Sequence, residues 1–265
     1  MKHSERGVAL ITALLVVAIA VTAAIGMGVR DQTQIQRSGL VFEQDLARSL
    51  LLGAEVIALR LLEQWPDLQD LPWEGCISPP VPLVIEDVDL IARVENLHCR
   101  FNLNSLGRAD DPPVAAFADL VARAGSDSNI AAWQGEQLAA AVQDWMDAET
   151  DDPVYLLRTP PERSGNRPFL LASELNRVRG MTPEIWTAIA PYVTARPGTD
   201  NLIDLERAPD VVRDAVAAQP EEAQELHYFR LSLVARLPER DFFHCAVLDA
   251  LNGRTVVREF TPCEN

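Results

Sequence analysis

Residues 8–29 read VALITALLVVAIAVTAAIGMGV, an apolar run without a charged side chain. As a helix that rises about 1.5 Å per residue, the run is about 33 Å long, close to the hydrocarbon thickness of a bilayer. The polar residues before it include Lys2 and Arg6, and positive residues ahead of a span keep that end in the cytoplasm. We therefore predict a transmembrane helix over 8–29, with the rest of the chain across the membrane.

The only candidate processing signal lies on the near side of this run, at Arg6-Gly7. A secretory signal peptide has its cleavage site after the apolar core instead. Cleavage between Gly7 and Val8 would remove residues 1–7 as a leader and keep the apolar helix in the mature protein. This order of parts resembles the class III signal of type IV pilins and type II secretion pseudopilins. An ordinary single-pass anchor is the alternative.

The helical pattern continues beyond the apolar run. One apolar stripe, which we expect to be buried by residues further along the chain, consists of Ile35, Phe42, Leu46, Leu50, Ala54, Ile57 and Leu61. Because no proline occurs before Pro66, we predict one helix over about 8–64. Residues 66–82 are rich in proline and are predicted to be a loop.

The remaining pattern predicts early strands, then helices, then late strands. Alternating residues predict strands near 88–94 and 97–103, and later at 229–235, 241–248 and 255–260, with a tight turn at Asn252-Gly253. Helical patterns cover 113–124, 130–146, 173–179, 182–192 and 209–218. Since two strands alone are marginal in water, we expect the late strands to complete a sheet with the early ones.

The fold class predicted is therefore α+β. A pilin-like long N-terminal helix packs on a small antiparallel sheet, and a large α-helical domain is inserted between the early and late strands. The predicted segments are the leader (1–7), the transmembrane part (8–29), the first part of the pilin-like domain (30–111), the inserted helical domain (112–226) and the second part of the pilin-like domain (227–265).

Charge and cysteine content narrow the classes of function. The net charge of −16 disfavours binding to nucleic acid, because phosphate contacts require clustered cations. The four cysteines form no Cys-x-x-Cys pair, so the sequence does not indicate a zinc site. An oxidising periplasm permits disulfides. Three full pairings are possible. We favour Cys76–Cys99 and Cys245–Cys263 because each pair is close in sequence, with two free thiols as an alternative.

Catalysis has little support in the sequence. We find no Gly-x-Ser-x-Gly elbow, His-Glu-x-x-His motif or phosphate-binding glycine loop. His98 and His244 alternate with apolar residues, so we expect both on the wetter face of the sheet and not on a metal. Asp144, Asp147 and Glu149 resemble an acid and base set only because carboxylates are frequent throughout this chain. We predict that the protein is not an enzyme.

Four local motifs, in order along the chain, resemble the K-type minor pseudopilin (GspK) family of the bacterial type II secretion system. They are Arg6 to Thr12 with its apolar continuation; Arg100-Phe101-Asn102-Leu103-Asn104-Ser105-Leu106; Asp144 to Ala148 with Asn166-Arg167-Pro168 and Ser173-Glu174-Leu175; and Val178 to Glu184 with Ala190-Pro191-Tyr192-Val193. Each motif alone is a weak signal of this family. The four motifs occur in the same order over nearly the whole chain, and together they are a strong signal.

The resemblance implies a subunit at the tip of the pseudopilus. Most pseudopilins have glutamate at the fifth mature position, whereas this chain has Thr12 there. K-type members characteristically lack that glutamate. The implied partners are the I- and J-type minor pseudopilins, the H-type through them, the prepilin peptidase, the inner-membrane secretion platform and membrane lipid. The implied location is the inner membrane, with a single span and the C-terminal part in the periplasm.

The resemblance also implies a calcium site, at a place where this sequence departs from the family. The acidic segment after Asp144-Trp145 is shortened, which leaves Asp147, Glu149, Asp151 and Asp152. Calcium takes six to eight oxygen ligands, so four carboxylates supply a partial shell that carbonyls and water would complete. A solvated acidic loop is the alternative.

Two other functions share some of these features. A minor pilin of a type IV pilus shares the anchor and sheet, although the helical insertion and the missing glutamate favour secretion. A membrane-anchored nucleic-acid binder is the second alternative, because Arg179-Gly180-Met181-Thr182-Pro183 resembles a helix-hairpin-helix turn. Arg177, Arg179 and Arg196 are too few to offset the acidic charge, and Thr182 replaces the second glycine of that hairpin. The acidic charge of the chain opposes that alternative.

Overall fold

The structure, a computed structural model, describes residues 4–64, 73–85, 87–110, 112–128, 130–148, 153–217 and 226–263. The chain divides into two compact units, Met1–Leu50 and Leu51–Asn265. The helices are α1 (Ser4–Gln64), α2 (Val114–Ala124), α3 (Ala132–Met146), α4 (Pro153–Leu156), α5 (Pro183–Ile189) and α6 (Asp210–Val216). The strands are β1 (Val81–Ile85), β2 (Val88–Asn96), β3 (Phe101–Asn102), β4 (Val193–Thr194), β5 (Tyr228–Arg236), β6 (Asp241–Asp249) and β7 (Arg254–Glu259).

The main sheet joins strands from both ends of the second unit. Its five strands are antiparallel in the order β1-β2-β5-β6-β7, and the early strand β2 pairs directly with the late strand β5. The helices α2 to α6 all lie between these strands in sequence. The predicted α+β fold, with helices inserted between early and late strands, is confirmed.

One face of the sheet is apolar because its side chains alternate. Phe229, Leu231, Leu233 and Ala235 of β5 are each at most 1% exposed, whereas the residues between them are mostly half-buried. From α1, Leu51, Ala54 and Leu62 are buried within the second unit. The hydrogen bonds of Glu55 to β6 and β7 place this part of α1 on the apolar face.

The buried stripe of α1 differs from the prediction. Ile57 and Leu61, predicted to be buried, are 53% and 48% exposed, while Leu51 and the charged Glu55 are buried. The helix carries apolar residues on two faces, so hydrophobic spacing alone does not distinguish them. Glu55 determines which face of α1 is buried, because the hydrogen-bond partners of its carboxylate lie on the sheet.

The inserted helices, residues 114–216, have a core of their own. α2 packs against α3, α5 and α6. The cluster of buried residues includes Phe117, Leu120, Val142, Trp145 and Ile189, and it continues into Phe101 and Leu103 next to the small parallel pair β3–β4. The inserted helices therefore share their core with the segment that leaves the sheet.

Two local predictions are wrong. The strand expected over 97–103 is a 3-10 turn (Leu97–Cys99), the two residues of β3 and a second 3-10 turn (Leu103–Gly107). Asn96 and Asn102 explain the interruption, because each side chain accepts a hydrogen bond from the backbone N–H two residues later and starts a turn. The loop predicted to extend to residue 82 ends at β1, an edge strand in which a proline is tolerated.

Two disulfides join segments of the second unit. Cys76 is bonded to Cys99 and Cys245 to Cys263, with Cα–Cα distances of 6.0 and 5.0 Å. These are the pairings favoured from their sequence spacing. The first attaches the segment before β1 to the turn after β2, and the second attaches the segment after β7 to β6.

Among the residues that the structure describes, no helix has both the length and the apolar character required to cross a membrane.

Candidate functional site

A buried polar network lies where the inserted helices meet the sheet. We call it the junction network, and it consists of Asn96, His98, Asn102, Asn104, Arg196, Asp200 and Asp204. It links three segments: 96–104, where the chain leaves the sheet; 196–204, after β4; and 227–228, where the chain enters the sheet again.

Asn102 and Asn104 bind backbone groups that are distant in sequence. The Oδ1 atom of Asn102 accepts from the N–H of Arg196 at 3.0 Å, and its Nδ2 atom donates to the carbonyl of Asp200 at 2.8 Å. Asn104 makes a pair of hydrogen bonds with the backbone of Phe169, at 2.8 and 3.0 Å. Both side chains are at most 1% exposed, so they satisfy backbone groups that water does not reach.

His98 and Arg196 occupy the centre of the junction network. The Nε2 atom of His98 accepts from the backbone N–H groups of His227 and Tyr228, each at 3.2 Å. Its Nδ1 atom lies 3.1 Å from the carbonyl oxygen of Leu202 and also contacts Nη1 of Arg196. Burial and the neighbouring charge of Arg196 lower the pKa of His98 to about 2. The imidazole is therefore neutral at physiological pH, and the expectation that His98 lies on a wet sheet face is wrong.

Arg196 is a fully buried cation. Burial lowers its pKa to about 10, and Asp200, at 3.4 Å from its Nη1 atom, raises it. Its Nη2 atom donates to the carbonyl of Leu202 at 2.9 Å. Arg196 thus remains charged at neutral pH and contacts the protein interior, which is an unsuitable position for binding phosphate.

Asp204 completes the junction network on the side of β2. Its Oδ2 atom accepts from Asn96 at 2.8 Å, and its backbone N–H donates to the carbonyl of His98 at 2.8 Å. Arg207 forms an ion pair with the same carboxylate. The end of β2 is therefore attached to the segment after β4.

A second buried cluster connects α1 to the sheet within the second unit. The carboxylate of Glu55 accepts hydrogen bonds from Thr255 at 2.5 Å, from Arg258 at 2.8 Å and from His244 at 2.6 Å. Burial raises the pKa of Glu55, but the hydrogen bonds from Arg258, Thr255 and His244 outweigh this effect and bring it to about 2. His244 is 1% exposed on the apolar face, so the expectation of a wet position is wrong for this histidine too.

The remaining motifs have structural contacts within the inserted helices. Trp145 is 3% exposed and meets the ring of Tyr155 edge-on, with 5.0 Å between centroids. The hydroxyl of Tyr155 accepts from the backbone N–H of Arg179 at 3.1 Å. Glu174 accepts from the N–H groups of Leu170 and Leu171. The side chains of these motifs therefore fix the backbone of the loops between the inserted helices.

The arginines at and near the candidate nucleic-acid hairpin are paired with carboxylates. Arg177 lies 3.8 Å from Glu162, and Arg179 lies 3.2 Å from Asp144. Arg196 is buried in the junction network. The geometry gives no support to a phosphate-binding hairpin at this position.

The predicted calcium site falls largely outside the described residues. Asp147 ends α3 and is exposed, whereas Glu149, Asp151 and Asp152 lie outside that part of the chain. Within the described ranges, no group of three or more His, Cys, Asp or Glu residues is placed to hold a metal ion. The cleavage pair, Gly7 and Val8, lies in α1, and their side chains are outside the described part.

An exposed apolar face of α1 is a feature that the sequence analysis did not identify as a surface. Val56, Ile57 and Leu61 are 57%, 53% and 48% exposed, and Gly53 has nothing within 4 Å of an added Cβ atom. These four residues, which we call the open face of α1, lie opposite the buried Glu55 cluster. Adjacent apolar side chains on one helix face are typical of a helix that packs against a partner.

The comparisons with known proteins agree on one family. The family model "Type II secretion system (T2SS), protein K" matches residues 99–198, which include Asn102, Asn104 and Arg196 of the junction network. Type II secretion system protein K of Klebsiella pneumoniae is 29% identical over 214 residues, and that of Pseudomonas aeruginosa is 31% identical over 217. The chain is similar to the protein K family of the type II secretion system. Each of these two matches spans 74% of this chain and 64% of the relative, just under two thirds.

A crystal structure contains a chain with this fold. A chain in the GspK-GspI-GspJ complex from enterotoxigenic Escherichia coli aligns with a TM-score of 0.68 at 18% identity, over 86% of this chain and 100% of that chain. At this identity the likeness concerns the fold alone. It confirms the pilin-like α+β architecture.

We predict that Glu55→Gln lowers the free energy of unfolding by about 2–3 kcal/mol at pH 7, because the buried charge pair with Arg258 is lost. The carboxylate contributes this stability above its unfolded pKa, 4.5, and loses it as the pH falls through the folded value of about 2. Urea unfolding should therefore show the gap between wild type and variant closing as the pH falls from 4.5 to 2.

The matched control is Glu63→Gln, on the same helix. Glu63 pairs with Arg60, whose side chain is 69% exposed, so its loss should change stability by less than about 1 kcal/mol. Equal effects of the two substitutions would contradict the role of Glu55.

Proposed function

We propose that this protein is a minor pseudopilin that sits at the tip of the type II secretion pseudopilus and initiates or caps the filament for protein export across the outer membrane. The observation that carries the proposal is the inserted helical module, which matches the protein K family and is attached to the sheet by the junction network. A module of this size hinders a further subunit from stacking above it. Thr12, at the fifth position after Gly7, fits a subunit that recruits no following one.

The proposed partners are the I- and J-type minor pseudopilins, with the H-type reached through them. Support comes from the fold match to a chain of a complex whose name includes GspI and GspJ. The open face of α1 suits a partner helix, because Gly53 permits close approach while Val56, Ile57 and Leu61 supply apolar contact. The family match favours this role over that of a minor pilin in a type IV pilus.

Ile57→Glu should weaken assembly with the I- and J-type subunits at least about tenfold, because it places a charge in an apolar contact. The measurement is co-purification of the full-length chain with both partners from detergent-solubilised membranes. Leu157→Glu is the control, since Leu157 is 83% exposed and lies on the inserted module. Undiminished recovery of partners with Ile57→Glu would contradict the proposed helix contact.

We propose that residues 8–29 anchor the protein in the inner membrane, with the second unit in the periplasm, and that they pack in the filament core after assembly. Prepilin peptidase would cleave between Gly7 and Val8, and the inner-membrane secretion platform would receive the processed subunit. The supporting observations are the uncharged run and the positive leader with Lys2 and Arg6. No catalytic role is proposed for the chain itself.

Gly7→Ala should leave the leader attached, because the added methyl group occupies the position next to the cleaved bond. Mass spectrometry of the purified protein measures the N-terminus directly. Gly39→Ala is the control, as an added Cβ atom at Gly39 meets nothing within 4 Å. A mature terminus at Val8 in the Gly7 variant would show that cleavage does not depend on this glycine.

We propose that Asp147, Glu149, Asp151 and Asp152 contribute to a calcium site between α3 and α4. The donor set fits the ion, because calcium prefers carboxylate oxygens and Asp147 is exposed at the end of α3. The bound ion would supply charge compensation in this acidic connection. These carboxylates alone do not fill its coordination shell.

Calcium should raise the midpoint of thermal unfolding by several degrees relative to EDTA, because an ion that binds only the folded state stabilises it. Asp147→Asn should reduce this increase, whereas Asp127→Asn, an exposed carboxylate elsewhere, should not. Identical unfolding midpoints with calcium and EDTA would exclude the site.

A further inference from the structure

The residues that bind the carboxylate of Glu55 all belong to one hairpin, formed by β6 and β7. His244 lies on β6, whereas Thr255 and Arg258 lie on β7. Among the described residues, these three side chains supply every hydrogen bond that the carboxylate accepts. The attachment of α1 to the sheet at Glu55 therefore depends on the conformation of this hairpin.

Strand β7 presents Thr255 and Arg258 on the same face because its pairing with β6 is irregular. Residues three apart in a regular strand point to opposite faces of the sheet. Here Val247 pairs with Val257, whereas Leu248 pairs with Thr255, so the register skips one residue of β7 and forms a bulge. Among the described strands, β7 pairs with β6 alone, and a slip of one residue would reverse its faces. The hydrogen bonds of Glu55 thus require one particular register of an edge strand.

The disulfide between Cys245 and Cys263 closes this hairpin beyond the bulge. It joins the residue next to His244 on β6 to the segment that follows β7, with a sequence separation of 18. In that segment, the ring of Phe260 lies 5.1 Å from the ring of His244, which is 1% exposed. Since the disulfide limits how far β7 can move along β6, it restricts both the register of β7 and the position of this phenyl ring.

We propose that the Cys245–Cys263 disulfide is a redox latch for α1, because its formation fixes the register of β7 and thereby the docking site of Glu55. With both cysteines reduced, β7 samples other registers, and Glu55 loses the aligned donors of Thr255 and Arg258. A carboxylate without such partners is costly to bury, so α1 docks less firmly on the sheet. The latch acts within the second unit and does not require the tip function.

The latch closes by thiol–disulfide exchange with a protein oxidant that carries a reactive disulfide. The thiolate of one cysteine attacks that disulfide, which forms a mixed disulfide and releases one thiolate of the oxidant. The second cysteine attacks the mixed disulfide, so Cys245 and Cys263 become bonded and the oxidant leaves as a dithiol. Two electrons pass to the oxidant, and the two protons of the chain's thiols end on the thiols of the oxidant.

Coupling between the disulfide and the docking of α1 is reciprocal by thermodynamic linkage. If the disulfide favours docking of Glu55, then docking of Glu55 favours the disulfide by the same factor. A disulfide that only restricts the unfolded chain predicts no dependence on Glu55. The pair Cys76–Cys99 is an internal comparison, because it joins the segment before β1 to the turn after β2.

The test measures the redox equilibrium of both disulfides in the full-length protein in detergent. The protein is equilibrated with mixtures of reduced and oxidised dithiothreitol, and free thiols are then alkylated and quantified for each pair by mass spectrometry. Glu55→Gln should shift the Cys245–Cys263 equilibrium toward the dithiol at least about fivefold, the lower end of ordinary coupling between two sites. The Cys76–Cys99 equilibrium should change by less than about twofold, as expected for an independent site.

The matched control is Asp89→Asn, an exposed carboxylate on β2, which should leave both equilibria unchanged. An unchanged Cys245–Cys263 equilibrium in Glu55→Gln would overturn the proposal, because the disulfide and the docking of α1 would then be independent. Equal shifts of both disulfides would overturn it as well, since they would reveal a general destabilisation of the second unit.

Paired serine variants give the reciprocal comparison without a redox reagent. Cys245→Ser with Cys263→Ser should speed hydrogen exchange over residues 51–64 of α1 at least about fivefold, because a helix segment released from its packing opens more often. Cys76→Ser with Cys99→Ser should leave exchange in that segment unchanged. Protection of β2 and β5 verifies that the sheet is retained. Unchanged exchange over 51–64 in the first variant would contradict the proposal.

Discussion

Buried backbone groups at the junction set the main constraint on this structure. The chain leaves the sheet after β2, forms the inserted helices and returns at β5, so loops cross a region that water does not reach. Unpaired N–H and carbonyl groups in such a region cost about 1–3 kcal/mol each. Three buried side chains form hydrogen bonds with these backbone groups: Asn102, Asn104 and His98. Each is a neutral donor and acceptor, which avoids most of the cost of burying charge.

The two buried clusters have different physical character. The junction network depends mainly on neutral amides and a neutral imidazole, with Arg196 and Asp200 as its central ion pair. The Glu55 cluster is ionic, and it fixes the register of α1 against β6 and β7. The first cluster positions the inserted module, and the second positions the helix. For a subunit whose proposed role is assembly, these two positions determine which surfaces a partner meets.

The sequence predicted the parts of the fold that depend on local periodicity. The late strand β5 alternates strictly from Phe229 onward, and the turn before Arg254 carries the expected glycine at Gly253 with φ of 59°. The bounds of α2 and α3 agree with the helical pattern to within two residues. Pairing of early with late strands followed from the need to complete a sheet, and the structure confirms it.

Features that depend on distant partners were not predictable in this way. Nothing near Glu55 in sequence shows that a charged residue is buried, because Thr255 and Arg258 lie two hundred residues away. The same reason explains why Ile57 was assigned to the buried stripe. The motif from Arg100 to Leu106 was recognised by resemblance, whereas the hydrogen-bond partners of Asn102 and Asn104 required coordinates. Local spacing also missed the turns at Asn96 and Asn102, where side chains replace ladder bonds.

Hydrogen exchange of the full-length protein with Asn102→Ala tests the central role of the junction network most directly. Asn176→Ala, at an exposed asparagine of the inserted module, is the matched control. If the junction network holds the segment after β4, Asn102→Ala should lower protection at Arg196 and along 198–202 while the β6–β7 hairpin remains protected. Unchanged protection of 196–202 in that variant would show that the junction network does not hold this segment.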